Sequence, residues 1–168
     1  MNKVDANLQE GRASLYHLNL DEFTRNFKFD INNSLVYDQQ SGMINVQQRQ
    51  GFFSFSSAMT YPFFPMIRNF NDDVNIVRDL EDLALYFPSA VDTSLAEDDS
   101  LVTVKPLMWT SENSGKQTGR FQINPMAPVF KSMTFPMSNI PLGAVVIGEF
   151  DSYFADKEVP QPEMGAGH

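Results

Sequence analysis

Serine, glycine, lysine and threonine stand together in Ser114-Gly115-Lys116-Gln117-Thr118-Gly119, a mixture that could cradle a phosphate. A phosphate loop needs its first glycine five positions before Gly-Lys, and a hydroxyl residue directly after the lysine to hold magnesium. Met108-Trp109-Thr110 stands near the place of that glycine and Gln117 follows the lysine, so the segment reads as a loop. Nucleophilic catalysis has little to draw on. Cysteine is absent, and the two histidines are His17, just before a helix cap, and His168, the last residue. A hydrolytic triad requires an ordered base beside its nucleophile, and no such pair is expected here. Asp72-Asp73 and Asp98-Asp99 are adjacent acids without the spaced ladder of a calcium loop, so they read as solvated charge. No metal or cofactor is expected. Asn32-Asn33-Ser34 fits the glycosylation tripeptide, a pattern common by chance.

Recognition by aromatic rings is the remaining chemistry. Residues 51–70, GFFSFSSAMTYPFFPMIRNF, hold seven rings in twenty positions. Large rings are mostly buried, so core is the favoured reading for this stretch and for Trp109. Tyr61 is the ring expected to keep one end in water. Trp109 ends a strand beside Thr110 and Ser111, and strand ends are where open α/β sheets collect ligands. The residues singled out as a partner or ligand surface are therefore Tyr61, Phe63, Phe64, Trp109, Thr110 and Ser111.

Composition restricts the partners. The 168 residues carry 21 acids against 12 bases, a formal net charge of −9, with the bases scattered. Without a basic stripe to displace counterions, nucleic acid is not a partner, and polybasic docking to anionic lipid is disfavoured for the same reason. The longest apolar run, 140–148, is too short to cross a bilayer, and the first residues lack the apolar core of a signal peptide. The chain as given reads as soluble.

The elements that would position these residues follow from periodicity. A helix is expected near 20–28, capped by Asn19 with Glu22 at N3, a Leu18/Phe23 staple, and Leu20, Phe23 and Phe27 on one face. Leu35-Val36-Tyr37 and Met43 to Val46 read as strands able to pair with each other. Phe53 and Phe55 alternate with serines as a strand with one greasy face, and Phe52, which breaks the alternation, suggests partial cover on both faces. Pro62 and Pro65 exclude Tyr61 to Pro65 from a central strand. A short helix is expected at 73–81 and a buried strand at 83–87. Val102 to Trp109 is the strongest strand in the middle of the chain, 111–128 reads as a long mobile loop, and Leu142 to Ile147 as a central strand. The fold class is α/β: a mixed β-sheet with a few flanking helices in one domain, 1–154, followed by a linker-like tail, 155–168.

Several segments, in order, resemble the auxiliary component of gliding-motility (Gld-type) ABC transporters. They are Leu20 to Phe23 through Asp38, Tyr61 to Pro65, Phe87 to Asp92, Leu107 to Ser111, and Pro141 to Phe154, and together they span about 20–154. Three positions depart from the family pattern. Lys28 replaces a glycine after the first helix, Val74-Asn75 replaces a His-Pro pair, and Ile147 replaces a glutamate.

The resemblance implies an incomplete Rossmann-like, amidotransferase-like architecture, a fragment whose family domain begins upstream with βα units. It implies a protein working with ABC permease and ATPase subunits on the extracytoplasmic (periplasmic) face, anchored through membrane segments outside this chain. Amidotransferase chemistry needs a cysteine nucleophile that this chain lacks. The expected function is a non-catalytic extracytoplasmic interaction module, not an enzyme. The alternative is a carbohydrate-binding or degenerate hydrolase-like domain that uses carboxylates and exposed rings.

Overall fold

The structure, a computed structural model, describes residues 4–7, 10–16, 20–96 and 101–158. The first third holds β1 (Val4–Asn7), β2 (Arg12–Leu15), α1 (Asp21–Asn26), β3 (Asp30–Ile31) and β4 (Ser34–Asp38). A long ribbon follows, β5 (Ser41–Gln50) and β6 (Phe53–Ile67), then β7 (Asn69–Phe70), β8 (Leu83–Ala84) and β9 (Val91–Asp92). The last third holds β10 (Val102–Trp109), β11 (Ser114–Thr118), β12 (Phe121–Gln122), α2 (Pro128–Lys131) and β13 (Pro141–Gly148).

Among the described residues every strand pairing is antiparallel. The sheets run β1-β2-β12, β13-β10-β7, β11-β4, β3-β9 and β5-β6-β8. The fold is therefore β-rich, and the α/β expectation is corrected. A Rossmann-like unit joins parallel strands through a crossover helix, whereas the α-helices among the described residues are six and four residues long. The 142–147 strand is a correction of the same kind. It pairs with β10 alone and lies at a sheet edge. Continuous apolar runs suit a parallel interior, but periodicity cannot separate that from an edge strand half-covered by neighbours.

Pairing also differs from expectation. β4 takes β11 as partner and β5 takes β6. Segment 111–128 is no long loop, because it supplies β11, β12 and the start of α2. Gly115 explains part of this, since a Cβ there would collide with the Tyr37 ring across the ladder. The glycine that read as loop chemistry is a packing requirement. Residues 73–81 form successive turns, with Val74, Val77 and Leu80 amides donating three residues back, in place of a helix.

The prolines are accommodated in β6 by a wide bulge. Thr60 pairs with Met43 and Pro65 with Ser41, so Tyr61 to Phe64 lie opposite Gly42 alone. Pro62 falls in that gap, where no amide is needed. Pro65 and Phe63 serve as acceptors, taking bonds from the amides of Leu85 (3.0 Å) and Phe87 (2.9 Å).

Two hydrophobic clusters meet on β4. Leu35 joins Val4, Tyr61, Phe63, Phe87, Phe121 and Ile123, whereas Val36 joins Ile67, Ala90, Ile140 and Leu142. Adjacent residues of a strand point to opposite faces, so β4 is the wall between two cores. Helix α1 packs outside both. Its Phe23 meets Tyr153 at 5.5 Å and its Phe27 meets Phe150 at 5.2 Å. Lys157 sits 3.4 Å over the Tyr153 ring and Tyr153 donates to Glu22. Glu22 thus holds the C-terminal segment. Asn19 and Leu18 lie outside the described residues, as do His17, Asp98-Asp99, residues 159–168 and the last residue, His168.

The end of α1 keeps the left-handed residue that favours glycine. Lys28 has φ 61°, its amide donates to Arg25 O, and the Phe29 amide donates to Thr24 O. This is a Schellman closure with lysine at its left-handed position. Because a Cβ is strained there by about 1 kcal/mol, Lys28→Gly is expected to stabilise the chain by about that amount. A thermal melt showing no rise in Tm would refute the strain.

Candidate functional site

Thr110 and Ser111 follow β10 and enter a polar knot between the two cores. Asp38, at the end of β4, is fully buried. Its Oδ2 accepts from the Ser111 amide (2.7 Å), and its Oδ1 accepts from the Ser111 hydroxyl (2.6 Å) and the Gln40 amide (2.7 Å). Thr110, also fully buried, donates to Ser114 Oγ at 2.8 Å and accepts from the Ile140 amide at 2.8 Å. Ser114 closes the circuit by donating to Met137 O. A hydroxyl 2.6 Å from a carboxylate has the spacing of a nucleophile–base couple. Here the carboxylate has no exposed surface and three donors already occupy it. The arrangement is a clamp joining β4, β10, β11 and the entry to β13.

Tyr61 and Phe63 are likewise buried, which corrects the expectation of a wet tyrosine. The Tyr61 hydroxyl finds an acceptor inside, the Ile123 carbonyl at 2.6 Å, so its polar tip needs no water. Its ring meets Phe63, Phe64, Phe87 and Phe130 within 4.8–6.1 Å. Burial pushes the phenol well above its ordinary value of 10.0. Phe64, Trp109 and Ser111 are half-buried and keep some surface. The structure brings Thr110 and Ser111 together with Asp38, and Tyr61 together with Phe63 and Phe64.

The outer half of the aromatic stretch behaves differently. The β5–β6 ribbon projects beyond the core and closes in a two-residue turn, Gly51-Phe52, with Gly51 at φ 62°. Phe52 is fully exposed, Phe53 is 79 % exposed and Phe55 46 %. Phe52 thus has cover on neither face. At the ribbon's base an apolar groove of about 600 Å³ is lined by Met59, Pro62, Met126, Phe130, Met133 and Phe135. Ser41 also lines it, with a buried hydroxyl that has no hydrogen-bond partner among the described residues.

Among the described residues no cluster of three or more His, Asp or Glu could hold a metal. Lys116 of the phosphate-like segment lies in strand β11. It adds a minor attraction to Asp92, whose carboxyl is held below the usual range mainly by the Ser94 amide and hydroxyl. No described helix is long and apolar enough to cross a membrane.

A family model described as an ABC-type uncharacterized transport system matches residues 1–166. The chain belongs to that family. No curated protein and no solved structure matches it. Membership makes the protein an auxiliary component of an ABC-type transport system, and it implies association with transporter components. The segments that carry the sequence resemblance now have physical roles. Leu35 to Asp38 and Leu107 to Ser111 are two halves of one clamp, and Tyr61 to Pro65 is the bulge that carries the core rings. Sequence reasoning missed the Asp38–Ser111 partnership. Its only signal was that each is a polar residue at or just past the end of an apolar strand.

Asp38→Ala strands buried donors and is expected to cost about 3 kcal/mol. Asp38→Asn, which retains one acceptor oxygen, costs less. Denaturant midpoints measure both, and an unchanged midpoint for Asp38→Ala would refute the clamp. Tyr61 gives a pH signature. Its folded pKa lies above the unfolded value, so its stabilisation is complete below about pH 10 and declines as pH rises beyond it, where only the unfolded chain releases the proton. Tyr61→Phe is expected to flatten that alkaline decline while costing about 1 kcal/mol at neutral pH. An unchanged alkaline slope would refute the assignment.

Proposed function

We propose that the chain is a non-catalytic extracytoplasmic interaction module of a gliding-motility-type ABC transport system. In the full-length protein it stands on the periplasmic side of the cytoplasmic membrane, anchored through segments outside this chain. The carrying observation is membership of the transport-system family across residues 1–166. The order of the resembling segments over about 20–154 supports the gliding-motility type. A non-catalytic role is supported by the cysteine-free sequence and by the full occupancy of the Asp38 carboxylate within the fold.

The work is recognition, and the partners are the permease and ATPase subunits of the same system. Phe64, Trp109 and Ser111 carry the partner-facing part of the expected surface. Buried Tyr61 packs against Phe64 from the core side, and buried Thr110 precedes Ser111 in the clamp. A carbohydrate-binding reading loses Tyr61 as a stacking ring, and the exposed rings of the β5–β6 ribbon have no carboxylate within that ribbon to work with.

A tagged chain, extracted in mild detergent from cells that express the neighbouring transporter genes, is expected to retain the permease. Repeated recovery of neither permease nor ATPase would overturn the proposal.

A further inference from the structure

The rings at the end of the β5–β6 ribbon lie in an unusual electrostatic setting. Of the 21 acids in the chain, none falls between Asp38 and Asp72. The whole ribbon lies in that interval, and its one charged residue is Arg49. The flanking positions are uncharged serines, glutamines, asparagine and threonine. An acidic protein of net charge −9 is repelled as a whole from an anionic surface. This projecting element can approach without presenting a carboxylate of its own.

Shape points the same way. Phe52 occupies the turn itself, fully exposed, and Phe53 and Phe55 follow on one face of β6. Three rings on the end of a two-stranded ribbon form a convex tip. A stable protein interface buries about 1,200–2,000 Å² with matched contours, which this narrow tip cannot supply. A bilayer surface has no contour to match. Aromatic side chains lodge readily between headgroups and acyl chains, and Arg49 can reach a lipid phosphate from the neighbouring strand.

We infer that the β5–β6 hairpin tip is a membrane-interface contact, in which Phe52, Phe53 and Phe55 enter the headgroup–acyl boundary of a lipid bilayer. A single apolar tip of this size gives weak, reversible attachment, comparable in kind to one acyl chain. It orients a domain already held near the membrane. It does not rest on the identity of the transporter partners, and it differs from polybasic docking because insertion, not charge, drives it.

Co-sedimentation of the purified chain with vesicles of phosphatidylethanolamine and a minority of phosphatidylglycerol tests the inference. Wild-type protein is expected to partition onto the vesicles and to stay bound when salt is raised. The triple variant Phe52→Ser, Phe53→Ser, Phe55→Ser is expected to lose binding by about tenfold or more. Its far-UV circular dichroism should be unchanged, since none of the three rings belongs to the buried clusters. A separate Phe52→Trp variant is expected to blue-shift on vesicles and be quenched by brominated lipid, read against the signal of Trp109. Wild-type protein that remains in the supernatant, or a triple variant that binds equally well, overturns the inference. So does a wild-type dimer in solution that the triple variant dissolves, because the tip would then serve a second copy. The permease pull-down reads out independently, so either result can fail alone.

Discussion

A carboxylate without access to water has to be fully paired, and that requirement organises this molecule. Asp38 meets it by drawing in the Ser111 amide and hydroxyl, which lie 73 residues away, together with the nearby Gln40 amide. Removing such partners from a buried charge is far more costly than the bonds are individually worth. The clamp therefore fixes where β10 ends, where β11 begins and how β4 enters the core. Because β4 presents Leu35 to one cluster and Val36 to the other, the two cores share a single wall, and the wall is held at its polar end.

The sequence was most legible where one rule acted alone. The Val102 to Trp109 strand matches β10 at both ends, because alternation and β-branched residues agree there. Leu35 to Tyr37 and the Phe53/Phe55 alternation are strands for the same reason. Legibility failed where tertiary partners decided the outcome. Nothing local told that Gly115 faces a ring, that Pro62 would fall opposite a one-residue gap, or that Tyr61 would find a carbonyl at Ile123. The fold class was legible in part: a sheet with few helices stands, but an apolar run at 140–148 is compatible with either strand direction, and its pairing is antiparallel. The candidate site was half legible. Thr110 and Ser111 stood out by position, but their partner could not be read from spacing.

Residues 51–70 answer to two environments. The inner portion, from Tyr61 to Ile67, supplies buried rings on alternate positions, whereas the outer portion holds the ring-bearing turn in solvent. An isolated two-stranded ribbon is only marginally stable in water. Anchoring at the bulge and in the aromatic cluster is what keeps the projecting part paired, so the core determines where the tip can reach.

The distance along the chain between the clamp's two sides has a consequence for biogenesis. While the polypeptide is leaving the ribosome, β4 and the ribbon emerge long before Ser111, Ser114 and Ile140 exist to receive them. Closure of so long a loop is slow, and unpaired strands are open to wrong partners in the interval. Pro62 and Pro65 lie inside the most apolar segment exposed during that wait. There each removes an amide that a neighbouring nascent chain would need in order to pair along the strand.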